Sequence, residues 1–314
     1  MEGTIMDASG AAYRLPTLLS WEICHGFCSP CDSFETVFLY QPEMRGALQA
    51  ACRFSATDGG KTVFCGVVDE LEVTADADGC TCVLRGRGMQ ALLLDSEAES
   101  AEYTGADMAY ILERHVRALG VTAIDTAGVP DGVRADLSVE SGESHWSVVK
   151  RFAEFCLGVT PRFAPDGTLV LSGGDSGRRV SIGAGTAISE QGYWQDRYGV
   201  ISEAIVKNRV SGTSVTVENA AFQALGGRCV RVINVPRTSG FDAMRHTGAY
   251  QIAQSALDFR RCRIAVDAQF AAFPGDRAVL VSTPLGITGT FTVSASRCYA
   301  GAGGAGTVLE LREG

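Results

Sequence analysis

The chain has 314 residues, more than one small barrel needs and enough for two or three packed units. Hydrophobic residues make up 46% and charged residues 20%, which excludes wholesale disorder, and abundant Gly (37) with scarce Pro (9) favours short strands and Gly-based turns over a helical bundle. The net charge of −9 argues against a surface built to grip a phosphate backbone. The densest basic run, Arg260, Arg261 and Arg263, reads as a solvated strand or helix end.

Residues 17–95 read as β. Trp21-Glu22-Ile23 and Ser33–Leu39 follow strand patterns. Thr62–Val68 is a further strand with a bulge expected at Gly66. Leu71–Val73 leads through Asp78-Gly79 into Cys80–Leu84, a hairpin signal. Strands at this spacing predict a small antiparallel barrel or sandwich.

Residues 96–175 change character. Thr104 is the expected cap of a helix carrying Met108, Ile111, Leu112, Val116 and Leu119 on one face and stopped by Gly120. A second helix starts near Ser144, places Trp146, Val149, Ala153 and Cys156 at helical spacing, and ends at Gly158. A hairpin follows, Val159–Phe163 and Thr168–Leu171 around Pro165-Asp166-Gly167.

Residues 176–187, rich in Gly and Ser, read as a linker. From Ala187 the chain returns to β, with strands expected over Ile201–Val206, Ser214–Val217, Arg228–Val235, Arg263–Phe270, Arg277–Val281, Gly289–Ser294 and Thr307–Leu311. One helix is expected near Tyr250–Phe259, and no repeat of solenoid period is visible. The expected fold class is α+β, mainly β: two small antiparallel β-barrel domains, 1–95 and 188–314 (the second with one helix), flanking an α+β insertion with its linker, 96–187.

Three patterns invite a chemical reading. Cys24, Cys28 and Cys31 have the C-x3-C-x2-C spacing that holds an iron–sulfur cluster in radical SAM enzymes. Pro30 stands where those enzymes carry an aromatic residue, and no βα repeat follows. His25 among the same thiols offers a Cys3His zinc site, but adjacent ligands on a strand point to opposite sides. Gly174-Asp175-Ser176-Gly177 resembles a serine-nucleophile loop, yet none of His25, His115, His145 and His246 stands in that family's histidine context. The bland readings, free thiols and a polar turn, carry more weight, so no catalytic, cofactor-binding or metal residue is assigned and no cofactor is expected. A peptidoglycan-directed hydrolase and a Cys-cluster metal or iron–sulfur protein stay as the alternatives.

Eleven cysteines is an odd number, and Met1–Pro16 lacks a charged segment followed by an apolar one. No apolar run approaches the ~18 residues of a bilayer span. The expectation is a soluble protein without disulfides, made in a cytoplasm and not itself binding a membrane.

The order of features carries a resemblance. Phe64-Cys65-Gly66-Val67-Val68, then a hairpin, then Gly86-Arg87-Gly88-Met89-Gln90-Ala91-Leu92-Leu93-Leu94-Asp95 resembles the F-x-G-x-V strand and G-R-(G/D)-x-x-x-L-L-D ending of baseplate hub proteins of contractile phage tails. That family includes the late control D proteins, the Mu-type hub and the base of type VI secretion spike proteins. Ser147–Gly158 with the Asp166-Gly167 hairpin is similar to its helix and D-G-x-L block. Phe273-Pro274-Gly275-Asp276 is similar to its closing barrel. The resemblance implies a non-enzymatic homotrimer in which two similar barrels per chain build a pseudo-sixfold ring. The ring would adapt the hexameric tail tube to a trimeric central spike and continue the tube lumen, with transient passage of DNA. Other baseplate proteins and the tape-measure protein are further implied partners, and the implied location is the tail baseplate of a virion or phage-like particle.

Overall fold

The computed structural model describes residues 1–26, 31–77, 79–127, 129–130, 132–172, 175–208, 210–235 and 241–313, with the backbone alone for 241–246. The first unit contains β1 (Glu2–Asp7), β2 (Ala12–Arg14), β3 (Leu18–Gly26), β4 (Ser33–Leu39), α1 (Arg45–Ala50), β5 (Ala51–Asp58), β6 (Lys61–Asp76) and β7 (Gly79–Gly88). The period-2 alternation seen in the sequence is realised here. Phe34, Thr36 and Phe38 of β4 turn inward, as do Trp21 and Ile23 of β3, and Phe34 stacks on Phe54 at 4.0 Å between ring centroids.

The insertion follows with α2 (Ala91–Leu94), β8 (Ala101–Asp107), α3 (Met108–His115), β9 (Ile124–Asp125), β10 (Arg134–Val139), α4 (His145–Leu157), β11 (Arg162–Phe163) and β12 (Leu169–Val170). It has its own core, in which Leu93, Ile111, Val148, Val149, Phe152 and Leu169 are buried. Helix α4 is bounded as its sequence dictates: the Ser144 side chain accepts from the Ser147 backbone N–H, and Gly158 closes the helix at φ 65°.

The last stretch holds β13 (Arg179–Ile182), β14 (Ile188–Gln195), β15 (Glu203–Lys207), β16 (Ser214–Glu218), α5 (Ala220–Ala224), β17 (Val230–Asn234), α6 (Phe241–Ala256), β18 (Arg260–Val266), β19 (Arg277–Ser282), β20 (Ile287–Gly301) and β21 (Gly304–Glu313). Strands β15, β16 and β17 form a small separate sheet that α6 contacts, inserted between β14 and β18.

The remaining strands share one 13-stranded sheet, whose main path runs β14-β18-β21-β20-β3-β4-β7-β6-β5-β1-β2, with β19 on β20 and β13 on β19. The sheet contains one strand order twice. Along the chain the first unit supplies β1, β3, β4, β5, β6 and β7, arranged β3-β4-β7-β6-β5-β1. The second supplies β13, β14, β18, β19, β20 and β21, arranged β14-β18-β21-β20-β19-β13. Strand for strand the two arrangements coincide, except that β1 lies antiparallel to β5 whereas β13 lies parallel to β19.

Two irregularities coincide as well, whereas the slips of the β1–β5 ladder at Met6–Asp7 and of the β5–β6 ladder at Ala56–Thr57 have no counterpart in β13–β19 and β19–β20. The β3–β4 ladder slips between Leu18 and Ser20, and the β14–β18 ladder between Ile188 and Glu190. The β6–β7 ladder slips between Val68 and Glu70, and the β20–β21 ladder between Val293 and Ala295. Bulges re-aim every side chain beyond them, so shared positions mean shared facing.

Several expectations need correction. Thr104 lies in β8; the cap of α3 is Asp107, whose carboxylate accepts from the Tyr110 N–H at 2.9 Å. The 3-10 turn at Arg117–Leu119 separates α3 from Gly120, so the face expected over Met108–Leu119 is not one continuous helix. The slips of β6 fall at Val68–Glu70 against β7 and between Thr62 and Phe64 against β5, not at Gly66, which instead permits the Arg87 carbonyl to approach closely. The linker contains β13, held by β19, and the last helix begins at Phe241, ahead of Tyr250. Strands β1, β2, β5, β8, β10 and β14 and helices α1, α2 and α5 are not among the expected elements, because each is short or lacks clean alternation. Asp78 of the expected turn is outside the described residues.

Candidate functional site

Each of the three chemical patterns resolves into packing where it is described. Cys24 on β3 donates to Glu22 Oε1 at 3.6 Å, and Cys31 donates to the Gly88 carbonyl at 3.5 Å; Cys28 is outside the described residues. Burial pushes both thiols up, Cys24 to about 11 and Cys31 to about 12. His25 is buried with both ring nitrogens engaged, Nδ1 with Asp32 Oδ2 at 2.8 Å and Nε2 with the Val63 carbonyl at 2.9 Å. Its ring meets Phe273 edge-on at 5.4 Å, joining the first unit to a turn of the second. Among the described residues no three His, Cys, Asp or Glu side chains group as a metal set.

The loop at Ser176, whose Gly174 is outside the described residues, is equally committed. Ser176 Oγ donates to Asp276 Oδ1 at 2.7 Å, and Arg178 Nε donates to Asp276 Oδ2 at 2.9 Å. Asp276 also accepts the Phe273 backbone N–H at 2.8 Å and is 2% exposed. Ser176 Oγ also accepts the Arg178 backbone N–H at 3.2 Å, and among the described contacts no histidine is bonded to it. His115 and His145 face one another elsewhere, Nδ1 to Nδ1 at 2.9 Å, and Tyr103 Oη reaches His115 Nε2 at 3.1 Å. The side chain of His246 is outside the described residues.

What the structure does bring together is a seam. Residues Ala295–Ala300 of β20 pair antiparallel with Gly26–Trp21 of β3, so the second unit continues the sheet of the first. Arg297 donates to Glu22 Oε2 across it at 2.6 Å, and this hydrogen bond holds the Glu22 carboxyl below the usual carboxylate range. The partners are 275 positions apart in the chain, and no local pattern marks either of them in the sequence.

Residues 90–173, the α+β insertion, match a family model described as the second domain of baseplate hub protein gp44-like. A tail protein of Neisseria meningitidis MC58 superposes with a TM-score of 0.79 at 18% identity, over 99% of this chain and 96% of that one. The chain has the fold of a phage tail protein, and its residues 90–173 match a baseplate hub domain. The same fold appears in the 43 kDa tail protein of prophage MuSo2 from Shewanella oneidensis (TM-score 0.74, 15% identity, 99% and 98% covered). It also appears in the E. coli c3393 protein, described as a component of the type VI secretion system with structural similarity to the T4 bacteriophage tail proteins gp27 and gp5 (TM-score 0.57, 13% identity, 94% and 73% covered). At these identities the likeness is one of fold. No curated protein matches the sequence. Among the described residues no helix is long and apolar enough to cross a membrane.

Proposed function

We propose that the chain is a non-enzymatic baseplate hub of a phage or phage-like contractile tail. Three copies form a pseudo-sixfold ring that adapts a hexameric tail tube to a trimeric central spike and continues the tube lumen. The observation that carries this reading is the duplicated strand order with its matching bulges. A chain that presents the same β unit twice can offer six near-equivalent positions in three copies, which is what joining a sixfold object to a threefold one requires. The gp44-like match over residues 90–173 supports it independently of the β units.

The tube protein and the spike are the main partners of this reading, with the tape-measure protein and other baseplate components around them. The net charge of −9 per chain gives the assembled ring an acid excess, suited to letting a polyanion pass without holding it. Light scattering together with negative-stain class averages tests the proposal. The expected result is a trimer with threefold symmetry and a central opening. A compact monomer at all concentrations overturns it.

A further inference from the structure

The sheet contains one complete junction between units and both halves of a second junction left open. In the complete one, the distal part of β20 is held by β21 on one edge and by β3 on the other. By strand order and bulge position, the counterpart of distal β20 is distal β6, and the counterpart of β3 is β14. Strand β6 pairs with β7 as far as Asp76↔Gly79, just as β20 pairs with β21 as far as Gly301↔Gly304. Its other edge is taken by β5 only from Lys61 to Val67. Strand β14 pairs with β18 and stands at the end of the sheet path. Among the described residues, then, distal β6 and β14 each keep one unpaired edge. They lie on opposite sides of the β20–β3 seam.

Burial separates the made junction from the open halves. Ile23 of β3 is 3% exposed, whereas its counterpart Tyr193 is 38% exposed. Cys298 is partly buried, whereas its counterpart Val73 is 45% exposed, and residues 72–76 are exposed on both faces of the strand. Trp194, the counterpart of Cys24, is 46% exposed. An open strand edge bearing a Val, and another bearing a Tyr and a Trp, are surfaces on which a further strand gains both backbone hydrogen bonds and apolar burial.

We infer that β14 of one copy adds antiparallel to the distal edge of β6 in the next copy, in the register of the internal seam. Carrying the pairs Ser296↔His25, Cys298↔Ile23 and Ala300↔Trp21 over to the counterparts gives Leu71↔Gln195, Val73↔Tyr193 and Ala75↔Gln191. The contact is head-to-tail, so three copies close into a ring when it turns each copy by a third of a circle without a rise along the axis. The inference rests on the ring reading above and specifies which edges make the joint.

Paired cysteines test it, because facing residues of adjacent antiparallel strands lie within disulfide reach. The full-length Val73→Cys and Tyr193→Cys variants are co-expressed, oxidised and run on a non-reducing gel beside the wild type and each single variant, which give the background of native thiols. The mixture is expected to yield a covalent dimer and nothing larger. The double variant is expected to yield a covalent trimer. A trimer in solution that cross-links through neither overturns the joint and leaves the ring standing. A trimer that cross-links instead through Val73→Cys with Gln195→Cys overturns the register. A protein that stays monomeric and uncross-linked overturns both the joint and the ring.

Discussion

Arg297 on β20 reaches across the seam to Glu22 on β3, tying together two β units whose strand order is the same. Both side chains are partly exposed, so solvent screens the pair and the backbone ladder beneath it does most of the joining. Arg297→Ala and Glu22→Ala are expected to lower stability slightly, with a coupling of no more than about 1 kcal/mol in a double-mutant cycle followed by urea unfolding.

Glycines at the β6–β7 crossing should be far less tolerant. A Cβ at Gly86 would lie 2.0 Å from the Val67 carbonyl oxygen, and one at Gly66 would lie 2.1 Å from the Arg87 carbonyl oxygen. Backbone meets the added atom in both cases, so no side-chain rotation relieves it. Gly66→Ala and Gly86→Ala are each expected to cost about 2 kcal/mol or more in urea unfolding. Gly289→Ala, whose nearest neighbour is a Phe291 ring atom at 3.5 Å, should stay within about 0.5 kcal/mol of the parent.

Asp276 gathers the loop at Ser176, the turn at Phe273 and the Arg178 guanidinium. An amide in its place turns two donors toward groups that already donate. Asp276→Asn is expected to lower stability by about 2 to 3 kcal/mol, measured as a fall in the urea midpoint at unchanged slope. Ser176→Ala should cost about 1 kcal/mol and leave the assembly state unchanged.

The paired histidines predict an acid sensitivity of the insertion. Burial, the neighbouring His145 and Arg114 depress His115 to about 4, and burial also lowers His145. The folded state therefore favours the neutral ring. Its contribution is complete above the ordinary value of 6.5 and is lost as the pH falls from there toward 4. Unfolding free energy should drop by about 2 kcal/mol between pH 7 and pH 5. Urea titrations of His115→Phe should show a flatter dependence, since the variant has no ring to protonate.

Thiol reactivity should separate the cysteines by burial. Cys80 is exposed, whereas Cys24 and Cys31 are partly buried with thiols raised to about 11 and 12. Iodoacetamide at pH 8, read by peptide mass spectrometry, should label Cys80 in the folded protein. Cys24 and Cys31 should label only after denaturation. Rapid labelling of Cys31 in the native state would remove the packing role assigned to it.

Local chemistry by itself determined a good part of this protein. Alternation at Ser33–Leu39 fixed a strand with Phe34, Thr36 and Phe38 inward, and Ser144 with Gly158 fixed both ends of α4, because caps and period-2 facing act within a few residues. The order of such elements was enough to expect two β units around an α+β insertion and a hub-like assembly. Only the tertiary structure decided that the two units share one strand order, that β20 joins β3, and that β6 and β14 keep open edges. Those facts depend on pairings between residues up to 275 positions apart. Ile23 and Tyr193 occupy the same place in the two units without sharing a side chain, so a backbone duplication of this kind leaves no periodic trace in the sequence. Pairing in a sheet is made by main-chain groups that every residue carries, which is why the letters do not spell it.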